Sequence, residues 1–346
     1  MSVRDESGPE NMENRFFRWR GIDASPTQIV PQDLLPQLPP TDVRYFVGIL
    51  EHLDRLLPAA GLTFFLTWQL DCSHEAMDNA VILLCEEQNQ TPSYHRRVKA
   101  IFKTGGLRRT PLRETMRLPA SIAWRILLRD ARNVVLGLKR QRQYGQGGQV
   151  VTPIYDIPYG PCALLDIDPL PIEQRPVDVF FAGESPSGWT LRAKFISRKQ
   201  MAAAVAATRV ALPQCRMESM TGAVDSANLL GPEAYTQALA NAKIALAPRG
   251  NSDAETYRIF EAAKLGCVII SEPLPSRWYY QECPAVAIPA WSALPDVLRS
   301  LLNDPARLAH LSLRSRQWWD STISETAIAK FIAQNLARKD PGLRLA

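Results

Sequence analysis

KIALAPRGNSDAETYRIFEAAKLGCVIISE, running from Lys243 to Glu272, decides the fold of this chain. Ile244–Ala247 is a short apolar run stopped by Pro248 and Gly250, the pattern of a central parallel strand. A polar loop follows, then a helix expected to start near Asp253 or Ala254, where Ser252 and Asp253 could cap exposed N–H groups. Gly266 ends that helix, and Cys267–Ile270 forms the next buried strand. In such a unit ligands bind beyond the carboxyl ends of the strands, at the helix N-terminus. Arg249 on the turn and Arg258 on the helix stand there, and both could hold a diphosphate.

Helical spacing puts Ala254, Arg258, Glu261 and Leu265 on one face. Arg258 and Glu261 are then neighbours, which suits either a nucleotide site or an ordinary surface ion pair. Asp253 and Glu261 would lie about 12 Å apart along the axis if both were helical. One carboxylate could then approach a sugar while the other hydrogen-bonds a ribose.

A-P-R-G, then T-Y-R-I-F-E-A-A, then G-C-V-I-I-S together resemble the nucleotide-sugar signature of exostosin-type glycosyltransferases. VDVFFAGE (Val177–Glu184) is similar to the strand and glycine loop that open that family's donor domain. YTQALANAKIALAPRG (Tyr235–Gly250) matches the helix and strand that lead into the signature. The resemblance covers Pro176 to Glu272 and implies a GT-B architecture: α/β, with two Rossmann-like parallel-sheet domains facing across a cleft. It implies that Glu261 binds the ribose and Arg258 the diphosphate of a nucleotide-sugar donor. Arg249, Gly250, Asp253 and Thr256 complete the signature side of the candidate donor site, Asp253 without an assigned family counterpart. Gly183 and Arg192 join them from the Gly183–Gly188 loop and its exit, where glycine lets backbone approach phosphate.

The implied activity is sugar transfer from a nucleoside diphosphate, UDP by resemblance, to a glycan or lipid-linked acceptor. Inversion without a metal or cofactor is expected, because arginines could neutralise the leaving diphosphate. A retaining enzyme of the same fold and an inactive nucleotide-sugar-binding partner of another transferase are the alternatives. Inversion needs a general base on the acceptor side. Glu86, just past the apolar run Ala80–Cys85, and Asp71, after Leu62–Trp68, are the candidates. Strand-end carboxylates also serve as caps or solvated loop residues. Asp166 and Asp168 spell D-I-D, but in a proline-rich stretch rather than a convincing metal setting.

At 346 residues the chain can bury two α/β cores. A 46% hydrophobic and 22% charged composition excludes a disordered or fibrous chain. The six cysteines form no C-x-x-C pair, which argues against a zinc or disulfide framework. Residues 1–21 are polar with no apolar h-region, and no run of eighteen apolar residues occurs. A cytoplasmic protein is therefore expected, peripheral at most at the inner membrane face. The expected division is a flexible or extended segment over 1–40, an acceptor-side domain over 41–165 and a linker over 166–176. A donor-binding domain over 177–321 follows, and a helix within 322–346 crosses back to the first domain.

Between Arg96 and Arg142 fourteen basic residues face two acids, Glu114 and Asp130. Part of this stretch reads as an amphipathic helix. Ile122, Ile126, Leu127, Val134 and Leu138 form its apolar side, and Arg125, Arg129 and Arg132 its basic side. An anionic membrane or lipid-diphosphate acceptor fits the basic side; so does plain solvent. Nucleic acid is not expected, as no zinc-finger or RNP-like motif accompanies the charge.

Overall fold

The computed structural model describes residues 13–19, 25–71, 77–86, 90–105, 115–116, 118–144, 152–162, 164–184, 193–222, 231–250 and 254–345. Two sheets dominate. The N-terminal sheet holds β1 (Arg15–Trp19), β2 (Thr27–Ile29), β3 (Thr63–Thr67), β4 (Met77–Leu84), β5 (Val98–Thr104) and β6 (Ile154–Ile157). Its order is β2-β1-β3-β4-β5-β6, parallel throughout except for antiparallel β2 at the edge. The C-terminal sheet holds β7 (Val177–Glu184), β8 (Met217–Gly222), β9 (Ala242–Ala247), β10 (Val268–Ser271) and β11 (Val286–Ala287). All its pairings are parallel, in the order β11-β10-β9-β7-β8. The architecture is α/β with two parallel-sheet domains.

Burial explains why these segments are strands. All five residues of β3 are buried, as are Ala80 to Leu84 of β4 and Val268 to Ser271 of β10. A parallel strand covered on both faces reads as a continuous apolar run. The alternation is still visible in where each side chain packs. Phe64 and Leu66 enter one core with Phe46 and Leu50, whereas Phe65 enters another with Trp19 and Ile82.

The principal helices are α1 (Asp42–Leu56), α2 (Ala120–Tyr144), α3 (Ala193–Ala211), α4 (Pro232–Ala240), α5 (Tyr257–Lys264), α6 (Leu294–Leu302), α7 (Pro305–Trp318) and α8 (Glu325–Lys339). The chain ends by crossing to the first domain: α8 packs on α1, and Tyr45 Oη donates to the Ile323 carbonyl at 2.6 Å. The N-terminal core continues through Phe260, Trp318 and Ile328 into the second domain. Trp278 stacks on Phe331 with centroids 4.1 Å apart and donates Nε1 to the Asp156 carbonyl. No helix of the described residues is long and apolar enough to cross a membrane.

Three expectations are corrected. Arg15–Trp19, in the segment expected to be flexible or extended and outside the first domain, is a strand of that domain's sheet, paired in parallel with β3. Its Phe16 and Trp19 are buried on opposite faces of the sheet, so RFFRW contributes to two cores. Helix α5 starts at Tyr257, later than expected, because Glu255 is drawn into a buried ion pair with Arg277 and Thr256 stays extended. Leu138 faces outward rather than joining the buried side of α2.

Candidate functional site

The strand order of the C-terminal sheet reverses at β7. Its β8 lies to one side of β7, and β9, β10 and β11 lie to the other. A crevice opens beyond the carboxyl ends where neighbouring strands send their connections to opposite sides. That switch point is between β7 and β9. Ala182 and Gly183 end β7 there, and Pro248, Arg249 and Gly250 follow β9. Helix α5 begins after extended Thr256, at φ −151° and ψ 149°. It ends at Gly266, whose φ of +66° favours glycine, while Cys267 N–H closes on the Ala262 carbonyl at 2.8 Å.

Arg258 crosses the crevice floor. Its Nε donates to the Ala182 carbonyl, its Nη1 to Thr256 Oγ1 at 3.2 Å, and its Cζ lies 5.1 Å over the Phe181 ring. This approach requires the glycine. A Cβ at Gly183 would collide with Arg258 Nη2 and stand 2.9 Å from Cζ. Gly183 and Arg258, far apart in sequence, are thus brought together.

Arg249 is buried beside them. Its N–H donates to Glu272 Oε2 at 3.0 Å, and its Nε stands 3.6 Å from Glu272 Oε1. That Nε has no hydrogen-bond partner among the described residues. Glu272 also accepts from Ser197 Oγ at 2.6 Å, and Trp291 Nε1 donates to the same hydroxyl. Ser197 lies in α3 between Lys194 and Arg198, both buried. Arg198 was missed in the sequence. Its i, i+4 spacing from Lys194 was the available signal. Asp253 and Arg192 lie outside the described residues.

Glu261 is nearly inaccessible. It accepts from the Cys162 N–H at 3.0 Å and from Tyr235 Oη at 2.6 Å. Burial, with the Glu261 carboxylate adding, pushes the Tyr235 hydroxyl well above its usual range, so it stays a donor. Glu261 makes no salt bridge to Arg258: the surface pair that spacing allowed is not formed. Instead Glu261 ties α4 and α5 to the Cys162 backbone beyond β6.

The N-terminal strand ends are occupied differently. Arg140 of α2 grips both oxygens of Asp71, Nη1 to Oδ2 at 3.0 Å and Nη2 to Oδ1. Glu86 is half-buried past β4, and its carbonyl accepts from Lys103 Nζ. Lys103 is itself buried at the end of β5 and also bonds the Thr104 carbonyl at 2.9 Å. Burial pulls the Lys103 ammonium down to about 8; the Glu86 carboxylate opposes the shift and Arg277 adds to it. Arg277 pairs with buried Glu255, donates to Tyr279 Oη at 2.9 Å and reaches across to the Gly105 carbonyl at 2.6 Å. Tyr279 Oη donates to Glu255 at 3.0 Å. Lys103, Glu255 and Arg277 were all missed, because a charged residue in a loop or at a strand end reads as solvated. Asp166 of the D-I-D stretch is held by Lys264 at 2.6 Å, and that bond keeps its carboxyl below the usual range.

No protein-family model matches the chain, and no curated protein does. Solved structures that it resembles include the GtfA/B complex, at 13% identity and TM-score 0.44, over 76% of this chain and 58% of that one. The pneumococcal O-GlcNAc transferase GtfA, solved with UDP and GlcNAc, is similar at 14% identity and TM-score 0.43, over 75% and 57%. A sucrose-phosphate synthase from Thermosynechococcus elongatus is similar at 13% identity and TM-score 0.40, over 93% and 83%. The chain spans less than three fifths of the length of the first two, and overlap at this level is a likeness only.

Proposed function

We propose that this chain is a GT-B glycosyltransferase moving a sugar from a nucleoside diphosphate, UDP-linked, to a glycan or lipid-linked acceptor. The observation that carries the proposal is the placing of Arg258 and Arg249 at the β7–β9 switch point, with Gly183 leaving room for the guanidinium. Guanidinium groups, Lys194 and Arg198 supply the charge that a leaving diphosphate needs as its bond to the sugar breaks. Metal independence is proposed on that ground. The resemblance of residues 176–272 to exostosin-type donor domains supports UDP and the ribose role of Glu261.

Inversion would need an acceptor-side base. Glu86 is favoured over Asp71, whose two oxygens are taken by Arg140. The test is release of UDP from a panel of UDP-sugars in the presence of EDTA, with the anomer of the product read by NMR. Turnover with inversion that Arg258→Lys lowers more than it lowers UDP affinity supports the proposal. Wild-type turnover in Arg258→Lys would remove Arg258 from the site.

A further inference from the structure

Helix α2 turns its larger apolar side chains in two directions. Ile122, Ala123 and Ile126 face inward with Leu118 and pack on Ala193 and Ile196. On the opposite face Trp124, Leu128, Val135 and Leu138 are 63%, 52%, 60% and 55% exposed. Their spacing of i, i+4, i+11 and i+14 makes one continuous stripe, about 21 Å long. Exposed Arg132 and Lys139 line one flank, and exposed Arg142 closes the C-terminal end. The helix has six basic residues and one acid. That acid, Asp130, is buried and bound by Arg129 at 2.8 Å. No carboxylate of α2 therefore stands on its outward face. The arrangement differs from the sequence reading, in which Arg125, Arg129 and Arg132 formed the contact and the apolar residues were core.

A row of exposed large apolar side chains on a soluble-type domain marks an interaction surface. Its chemistry selects the occupant. A tryptophan-bearing apolar stripe flanked only by cations matches a helix lying in a bilayer interface, with apolar groups at the acyl boundary and cations at the phosphates. A protein partner would have to bury three cations without any acid of α2 on this side to compensate. We propose that the outward face of α2 is a docking surface for an anionic lipid bilayer, independent of which sugar is transferred.

The test is co-sedimentation of the full chain with vesicles, either phosphatidylcholine alone or equal parts phosphatidylcholine and phosphatidylglycerol. The protein should pellet with the anionic vesicles at low salt and stay in solution with the neutral ones. Combined Trp124→Ser, Leu128→Ser, Val135→Ser and Leu138→Ser should abolish pelleting with the melting temperature unchanged, as these side chains support no core. Combined Arg132→Gln, Lys139→Gln and Arg142→Gln should weaken partitioning roughly a hundredfold. Brominated lipids should quench tryptophan emission in the wild type, and that quenching should fall in Trp124→Phe, which keeps the fold question separate. Wild type that ignores anionic vesicles overturns the proposal, as does apolar-variant protein that pellets normally. A lipid-free dimer that only the serine variant loses would assign the stripe to a second copy and equally overturn it.

Discussion

The two sheets wind differently, and their functional groups differ accordingly. In the C-terminal sheet the order reverses at β7, and the crevice beside it is rimmed by Gly183, Arg249 and Arg258. In the N-terminal sheet the parallel strands run in one direction from β1 through β3 to β6. No switch point opens among them, and their carboxyl ends are packed: Arg140 covers Asp71, and Lys103 turns inward to backbone carbonyls. Similar α/β wiring thus leaves an open edge where strand connections part and fills the edge where they do not. Gly183, Arg249 and Arg258 belong to the first kind of edge and the domain contact to the second.

The largest expected effect strikes that contact. Arg277→Met leaves the Glu255 carboxylate buried without its cation and removes the bond to Gly105. Loss of one partner of a buried pair costs about 3–5 kcal/mol, to be read by urea denaturation. A loss below about 1 kcal/mol would place the pair among weak surface-type interactions. Glu261→Ala should come next, because it deprives the Cys162 N–H and Tyr235 Oη of their acceptor. A buried donor left unsatisfied costs about 1–3 kcal/mol, so a destabilised variant is expected rather than one altered only in binding. An unchanged denaturation midpoint would return Glu261 to a purely ligand-binding role.

Gly183→Ala should separate the two edges. The new methyl displaces the far end of a flexible side chain, so stability should hardly change while the Arg258 guanidinium moves. UDP affinity should fall tenfold or more, about 1.4 kcal/mol, by calorimetry. Full affinity in this variant would mean that Arg258 contacts no diphosphate.

A pH dependence is expected at the other edge. Burial lowers folded Lys103 to about 8, below the usual 10.5. Between those values the unfolded chain holds a proton that the folded chain has released. Stability therefore gains as pH rises through that window, and nothing is gained below it. The difference between wild type and Lys103→Met, followed by denaturation from pH 7.5 to 10.5, should carry this rise. A pH-independent difference would show that Lys103 titrates as an exposed lysine.

The sequence made the C-terminal edge readable because its signals are local. Pro248, Gly250 and Gly266 bracket the strands and helix, and Arg249 and Arg258 stand nine residues apart across one loop. Apolar runs likewise located β3, β4, β9 and β10 to within two or three residues. What escaped depends on contacts far along the chain. Arg15–Trp19 becomes a strand by pairing with β3, forty-eight residues away, and with β2 on its other side. Glu255 and Arg277 reveal themselves only as a pair that closes against Gly105. The stripe on α2 was hidden by a symmetric pattern. Both faces carry apolar residues, and α3 selects which one is buried.

The central claim is that the β7–β9 crevice takes a nucleoside diphosphate through Arg258. Calorimetric titration of UDP into the wild type and into Arg258→Met tests it most directly. Saturable binding by the wild type, unaffected by EDTA, is expected, with at least tenfold weaker binding by a folded Arg258→Met protein. Absence of UDP binding by the wild type, or equal affinity in the two proteins, would contradict it.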